Sequence, residues 1–106
     1  QYPYIETKPK DEPPAKYNAG ADVTDSIVGS GAIFNGTVEH CVVFRKVYID
    51  EGAVVRNSIL MEGVRIGKNC VVENAILDKE VSISEGQQVI GKSSEEPIIL
   101  KKGTKL

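Results

Sequence analysis

His40 is the sole histidine of the chain, and Cys41 beside it is one of only two cysteines, the other being Cys70. A protein zinc site draws three or four ligands from His, Cys and carboxylates. One histidine therefore argues against metal-assisted hydrolysis or hydration, and general acid–base work by His40 needs partners that the sequence does not supply. Two cysteines cannot build a disulfide scaffold and suit a reducing compartment; both read as small buried hydrophobes. No Walker loop, G-x-S-x-G elbow or paired-carboxylate constellation occurs, so the sequence assigns no catalytic residue and no metal ligand. The cations Arg45, Lys46, Arg65, Lys79, Lys101 and Lys102 are interspersed with acids and read for the most part as solvated charges.

Composition narrows the remaining classes. Lys and Arg total 13 against 15 Asp and Glu, a net charge of −2, without the basic excess that nucleic-acid binding uses. No apolar run approaches the roughly 18 residues of a membrane span, and no charged-then-apolar leader opens the chain. These features predict a cytoplasmic protein with neither nucleic acid nor membrane as partner. The first residue is Gln1 rather than Met, which reads as an excised or processed piece. The 106 residues suffice for one modest core. Aromatics make up only 6% and Trp is absent, so Val, Ile and Leu must fill that core, and these are strand residues.

The chain divides near residue 17. Pro3, Pro9, Pro13 and Pro14 lie in the first 14 residues, whereas all ten glycines follow Tyr17. Proline fixes φ and removes a donor, so residues 1–17 are expected to form an extended arm or interdomain linker. Its Tyr2, Tyr4 and Tyr17 suit a segment lying along a surface. Residues 18–106 form the folded domain.

A 17-residue repeat governs that domain. Val38, Val55, Val72, Val89 and Leu106 follow one another at this interval, as do Val47, Val64, Val81 and Ile98, and Ile49, Ile66, Ile83 and Leu100. Val43, Leu60 and Leu77 make a further column, and Cys41, Ser58 and Ala75 a small one. Upstream the step shortens to 15, from Val23 to Val38 and from Phe34 to Ile49, so two residues are missing from one corner. Each repeat holds three triplets, for example Ala53-Val54-Val55, Ser58-Ile59-Leu60 and Val64-Arg65-Ile66. Period-2 alternation puts the first and third residues of a triplet on one face, and the corners between triplets are too short for helices. The pattern predicts an all-β fold, a three-sided parallel β-helix of the hexapeptide type with roughly five coils.

Corner chemistry agrees. Gly52, Asn69, Gly86 and Gly103 recur at 17 residues, and glycine and asparagine tolerate positive φ best. Asp25, His40, Asn57 and Asn74 form a second column of short polar side chains suited to bonding neighbouring turns. At the same interval Ser93 and Ser94 fall below Ile76 and Leu77, so the polar stretch Lys92–Pro97 is expected to cap the apolar column.

The middle residues of the triplets point outward, and several are apolar. Ile27, Val42, Ile59 and Ile76 make one stripe, while Val54 and Val71 start another. One explanation is strand propensity on a solvated sheet. The other is an interface with a further domain or subunit, since contiguous exposed apolar patches mark interaction sites.

The phrases GTVEHCVVF, GAVVRNSIL and ENAILDKEVSISEG resemble the C-terminal domain of the bacterial ADP-glucose pyrophosphorylase (glucose-1-phosphate adenylyltransferase) family. The lead-in YPYIETKPKDEPPAKY and the ending PIILKKGTKL resemble its GlgD-type glycogen-biosynthesis subunit. The resemblance implies a left-handed β-helix following an N-terminal nucleotidyltransferase domain, which would make ADP-glucose with Mg²⁺; no cofactor is implied for the β-helix itself. It further implies docking on that domain of the same chain and support of a hetero-oligomer, expected to be a tetramer, with a catalytic subunit. Effector contacts of the family fall on Lys79 and near Lys102. Two alternatives from other classes are a hexapeptide acyltransferase, which would be a trimer with a catalytic His, and a free-standing scaffold.

Overall fold

In the computed structural model the described residues are 13–106; the arm expected over residues 1–17 lies outside them as far as residue 12. The first coil comprises β1 (Lys16–Tyr17), β2 (Asp22–Thr24) and β3 (Ile27–Val28). The second comprises β4 (Ile33–Phe34), β5 (Thr37–Glu39) and β6 (Val42–Val43), and the third β7 (Tyr48–Ile49), β8 (Val54–Arg56) and β9 (Ile59–Leu60). The fourth has β10 (Arg65–Ile66), β11 (Val71–Glu73) and β12 (Ala75–Leu77), and the fifth β13 (Ser82–Ile83), β14 (Gln88–Ile90) and β15 (Ile98–Leu100). Every third strand pairs in parallel, giving three five-stranded sheets that are the three sides of a β-helix. No helix among the described residues is long and apolar enough to cross a membrane. Lys16 and Tyr17, the last two residues of the segment read as an arm, pair with Ile33 and Phe34.

The predicted inward columns form the core. Val38, Val55, Val72 and Val89 are buried in register along β5, β8, β11 and β14. Val47, Val64 and Val81, then Ile49, Ile66 and Ile83, then Val43, Leu60 and Leu77 are buried likewise. Each such side chain contributes about 1.5–3 kcal/mol relative to its exposed state. Cys41, Ser58 and Ala75 fill the narrow positions, as Ala53 and Cys70 do at another corner. Ser58 is the buried polar residue of this core, and its hydroxyl is satisfied: it donates to the Arg56 carbonyl at 2.7 Å and accepts from the Ala75 N–H at 3.2 Å. Phe34 is fully buried as expected, and its ring stacks on that of Tyr17 with centroids 5.3 Å apart.

Two coils depart from the 17-residue step. Between Phe34 and Thr37 the second coil turns through Asn35-Gly36 alone, where the third uses Asp50 to Ala53; this is where the two missing residues belong. At the other end the step lengthens. Ile98, Ile99 and Leu100 pair with Ala75, Ile76 and Leu77, a spacing of 23. The residues beside Ile76 and Leu77 are therefore Ile99 and Leu100, not Ser93 and Ser94. Likewise Ile98, Leu100 and Leu106 do not continue the Val81, Ile83 and Val89 columns: Lys105 bridges Ser82, and Leu106 beyond it is exposed. The reason is a six-residue excursion, Lys92–Pro97, held by Ser93, whose hydroxyl accepts from the Glu95 and Glu96 N–H groups at 3.2 Å each.

Corners turn through the left-handed region in three columns. Gly52, Asn69 and Gly86 do so at φ 75°, 59° and 79°, as predicted. Asp25, His40, Asn57 and Asn74 do so as well, at 47–54°, where short polar side chains carry the least strain after glycine. Gly103 belongs to the third column, with Gly31, Lys46, Gly63 and Glu80. The 23-residue step moves it there.

Candidate interaction face

The outward positions differ sharply among the three sides. On the sheet of β3, β6, β9, β12 and β15, Ile27, Val42, Ile59, Ile76 and Ile99 stand side by side in register. The terminal members are the most open, Ile27 at 71% and Ile99 at 63% exposed, and the middle three are half-buried by their neighbours. The four residues of the predicted stripe are thus one continuous ladder. Ile99 completes it, and the excursion hid it from a 17-residue alignment. Phe44, 47% exposed, and half-buried Met61 widen the apolar surface along the edge that follows the strands.

Val54 and Val71 pair on the second side, but Asp22 and Thr37 precede them and Gln88 follows. That stripe is short, and charge runs next to it. Arg56 Nε donates to Glu39 at 3.0 Å, and its Nη1 to Glu73 at 2.9 Å. The hydrogen bonds to Glu73 and then Glu39 raise the Arg56 pKa. The third side is polar and aromatic: Arg65 lies over the Tyr48 ring, 5.3 Å from its centroid, and the Asn18 amide donates to that of Asn35 at 2.8 Å. One side alone is apolar from end to end.

His40 and the two cysteines sit in different surroundings. His40 Nδ1 lies 2.8 Å from Asp25 Oδ2 on an open corner, where both side chains are more than two-thirds exposed. The Cys41 thiol donates to the carbonyls of Glu39 and Val55, and burial pushes its pKa up, so it is a packing residue. Cys70, also buried, donates to the Ser84 carbonyl at 2.9 Å. Among the described residues no cluster of three or more His, Cys, Asp or Glu side chains could hold a metal ion.

Lys79 and Lys102 come together through the lengthened step. Backbone bonds from Gly63 to Arg45, from Glu80 to Glu62 and from Gly103 to Lys79 stack Arg45, Glu62, Lys79 and Lys102 on one corner. Arg45 and Glu62 pair at 3.3 Å, whereas Lys79 and Lys102 put two exposed ammonium groups on adjacent coils. The sequence repeat gave no reason to bring them together.

A family model described as "GlmU-like, C-terminal hexapeptide" matches residues 13–98. The chain is 40% identical over 99 residues to "Glycogen biosynthesis protein GlgD" of Bacillus subtilis (strain 168), covering 93% of this chain and 29% of that protein. It is 51% identical over 51 residues to the protein of the same name from Geobacillus stearothermophilus, covering 48% of this chain and 15% of that protein. It is 40% identical over 92 residues to "Glucose-1-phosphate adenylyltransferase" of Corynebacterium jeikeium (strain K411), covering 86% of this chain and 22% of that protein. The chain thus spans less than a third of each of these relatives.

Proposed function

The chain belongs to the GlmU-like C-terminal hexapeptide family, and on that premise we propose that it is the β-helix domain of a glycogen-biosynthesis subunit, acting in assembly and regulation rather than in chemistry. The observation that carries this reading is the apolar ladder from Ile27 to Ile99 on a single side. A solvated sheet needs no such run, and a contiguous exposed apolar strip is the mark of an interface. In this reading the domain serves docking with the nucleotidyltransferase region of its own subunit and assembly with a catalytic subunit into a hetero-oligomer, a tetramer. Mg²⁺-dependent transfer belongs to the nucleotidyltransferase region, and the β-helix carries no cofactor. The setting is cytoplasmic, where the thiols of Cys41 and Cys70 stay reduced. The test is Ile59→Lys in the full-length protein. It leaves the β-helix folded by circular dichroism and reduces the mass of the complex on light scattering; unchanged assembly refutes the reading.

A second role rests on the Lys79–Lys102 corner. Two ammonium groups on adjacent coils suit an anionic sugar-phosphate or nucleotide effector, held as by point charges rather than by a bidentate fork. Lys79→Ala is expected to weaken the effector response of the full-length complex, and an unchanged titration removes the assignment. An acyl-transfer reading gains nothing from His40, which is paired with Asp25 on an open corner.

A further inference from the structure

The ladder side has two unlike edges. The edge leading into its strands carries Asp25, Glu95 and Glu96 against Lys92, three acids to one base. The edge leaving them carries Arg45, Lys46, Lys79, Lys101 and Lys102 against Glu62, Asp78 and Glu80, five bases to three acids. At the level of Ile59 the two edges also differ in shape. The leading edge holds a recess of about 310 Å³, whose lining includes Asn57, Ile59, Ile76, Ser94 and Pro97. At the level of Ile59, the trailing edge bears Met61, an adaptable apolar side chain.

We propose that this side receives a second copy of the chain, the two solenoids running in the same direction about a two-fold axis parallel to their length. The proposal rests on the assembly reading above but gives this face to a second copy of the chain, leaving the nucleotidyltransferase region and the catalytic subunit to other surfaces. With their solenoids aligned, two copies facing each other across a two-fold axis can be related in two ways, antiparallel or parallel. An axis across the strands' stacking direction lays acidic edge on acidic edge and meets Ile27 with Ile99. An axis along that direction lays the acidic edge of one copy on the basic edge of the other. It also brings Met61 of each copy level with the recess of its partner, and sets every ladder residue against its own counterpart. Like-charge juxtaposition opposes the first arrangement, and complementary edges with an apolar centre favour the second.

Variants with one added cysteine, made in the full-length subunit by itself, distinguish these arrangements, because Cys41 and Cys70 of this domain are buried. Under mild oxidation, with folding checked by circular dichroism, Ile27→Cys alone is expected to give a disulfide-linked dimer. A mixture of Ile27→Cys and Ile99→Cys is expected to give the two like pairs in preference to the mixed one. Light scattering across a concentration series should show the unmodified subunit moving from monomer towards dimer. Ile59→Lys should abolish that shift, and Lys101→Glu with Lys102→Glu should weaken it until Glu95→Lys and Glu96→Lys are added. A predominance of the mixed Ile27–Ile99 product overturns the parallel arrangement. A subunit that stays monomeric throughout overturns self-pairing altogether; if Ile59→Lys still disrupts the full-length complex, the assembly reading survives with a different occupant.

Discussion

The second and fifth coils break the same 17-residue rule in opposite directions, and they do so by different means. The second coil is shortened, and its contracted corner brings the backbone against the next coil: a Cβ on Gly36 would stand 2.5 Å from the Ala53 carbonyl and 2.7 Å from that of Asp50. Only glycine fits, and it is fully enclosed. The fifth coil is lengthened, and its six extra residues are thrown outward as exposed polar chain; only the departure point is tight, where a Cβ on Gly91 would collide with the Asn74 carbonyl. A solenoid with a narrow packed interior admits additional residues at its surface and loses them only where a side chain can be dispensed with.

The regular columns between these coils set the upper limit of this contrast. Val72→Asp places a charge at a fully buried position, at a desolvation cost of several kcal/mol. It is expected to unfold the domain, which loss of the far-ultraviolet dichroism would show. Gly36→Ala comes next, losing about 1–3 kcal/mol through overpacking against backbone that cannot swing aside, read as a lower midpoint in urea. Ser93→Ala is the smallest, about 0.5–1 kcal/mol, because the two backbone N–H groups its exposed hydroxyl accepts can turn to water instead. A Gly36→Ala midpoint equal to that of Ser93→Ala would erase the distinction between the two coils.

The inward columns were legible because a stacked coil repeats chemistry at fixed intervals: Val38, Val55 and Val72 need no structural help to be recognised. The last coil defeats a 17-residue alignment for a physical reason. Its excursion adds six residues, the length of one side of the triangle, so a 17-residue alignment slips by a whole side and lands aliphatic on aliphatic. Ile98 below Val81 looks as sound as Ile98 beside Ala75. The slip concealed Ile99 and separated Lys79 from Lys102. Lys46 and Glu80 give no sign of their left-handed conformation, since neither type favours it; the hint lies in the glycines of their column, Gly31 and Gly63, and Gly103 beyond the excursion. The ladder itself was visible from Ile27 to Ile76, but its edges became visible only once the register was known.

The parallel stacking of coils also bears on how the chain reaches this fold. Paired residues on neighbouring coils lie only 15 to 23 positions apart along the chain, and no sheet waits for a strand from a distant part of the sequence. Loop-closure entropy is therefore met in similar small instalments, and order can spread from one formed coil to the next. Each completed coil is the template for its neighbour, so the contracted second coil and the outflung fifth are the points at which that advance changes pace.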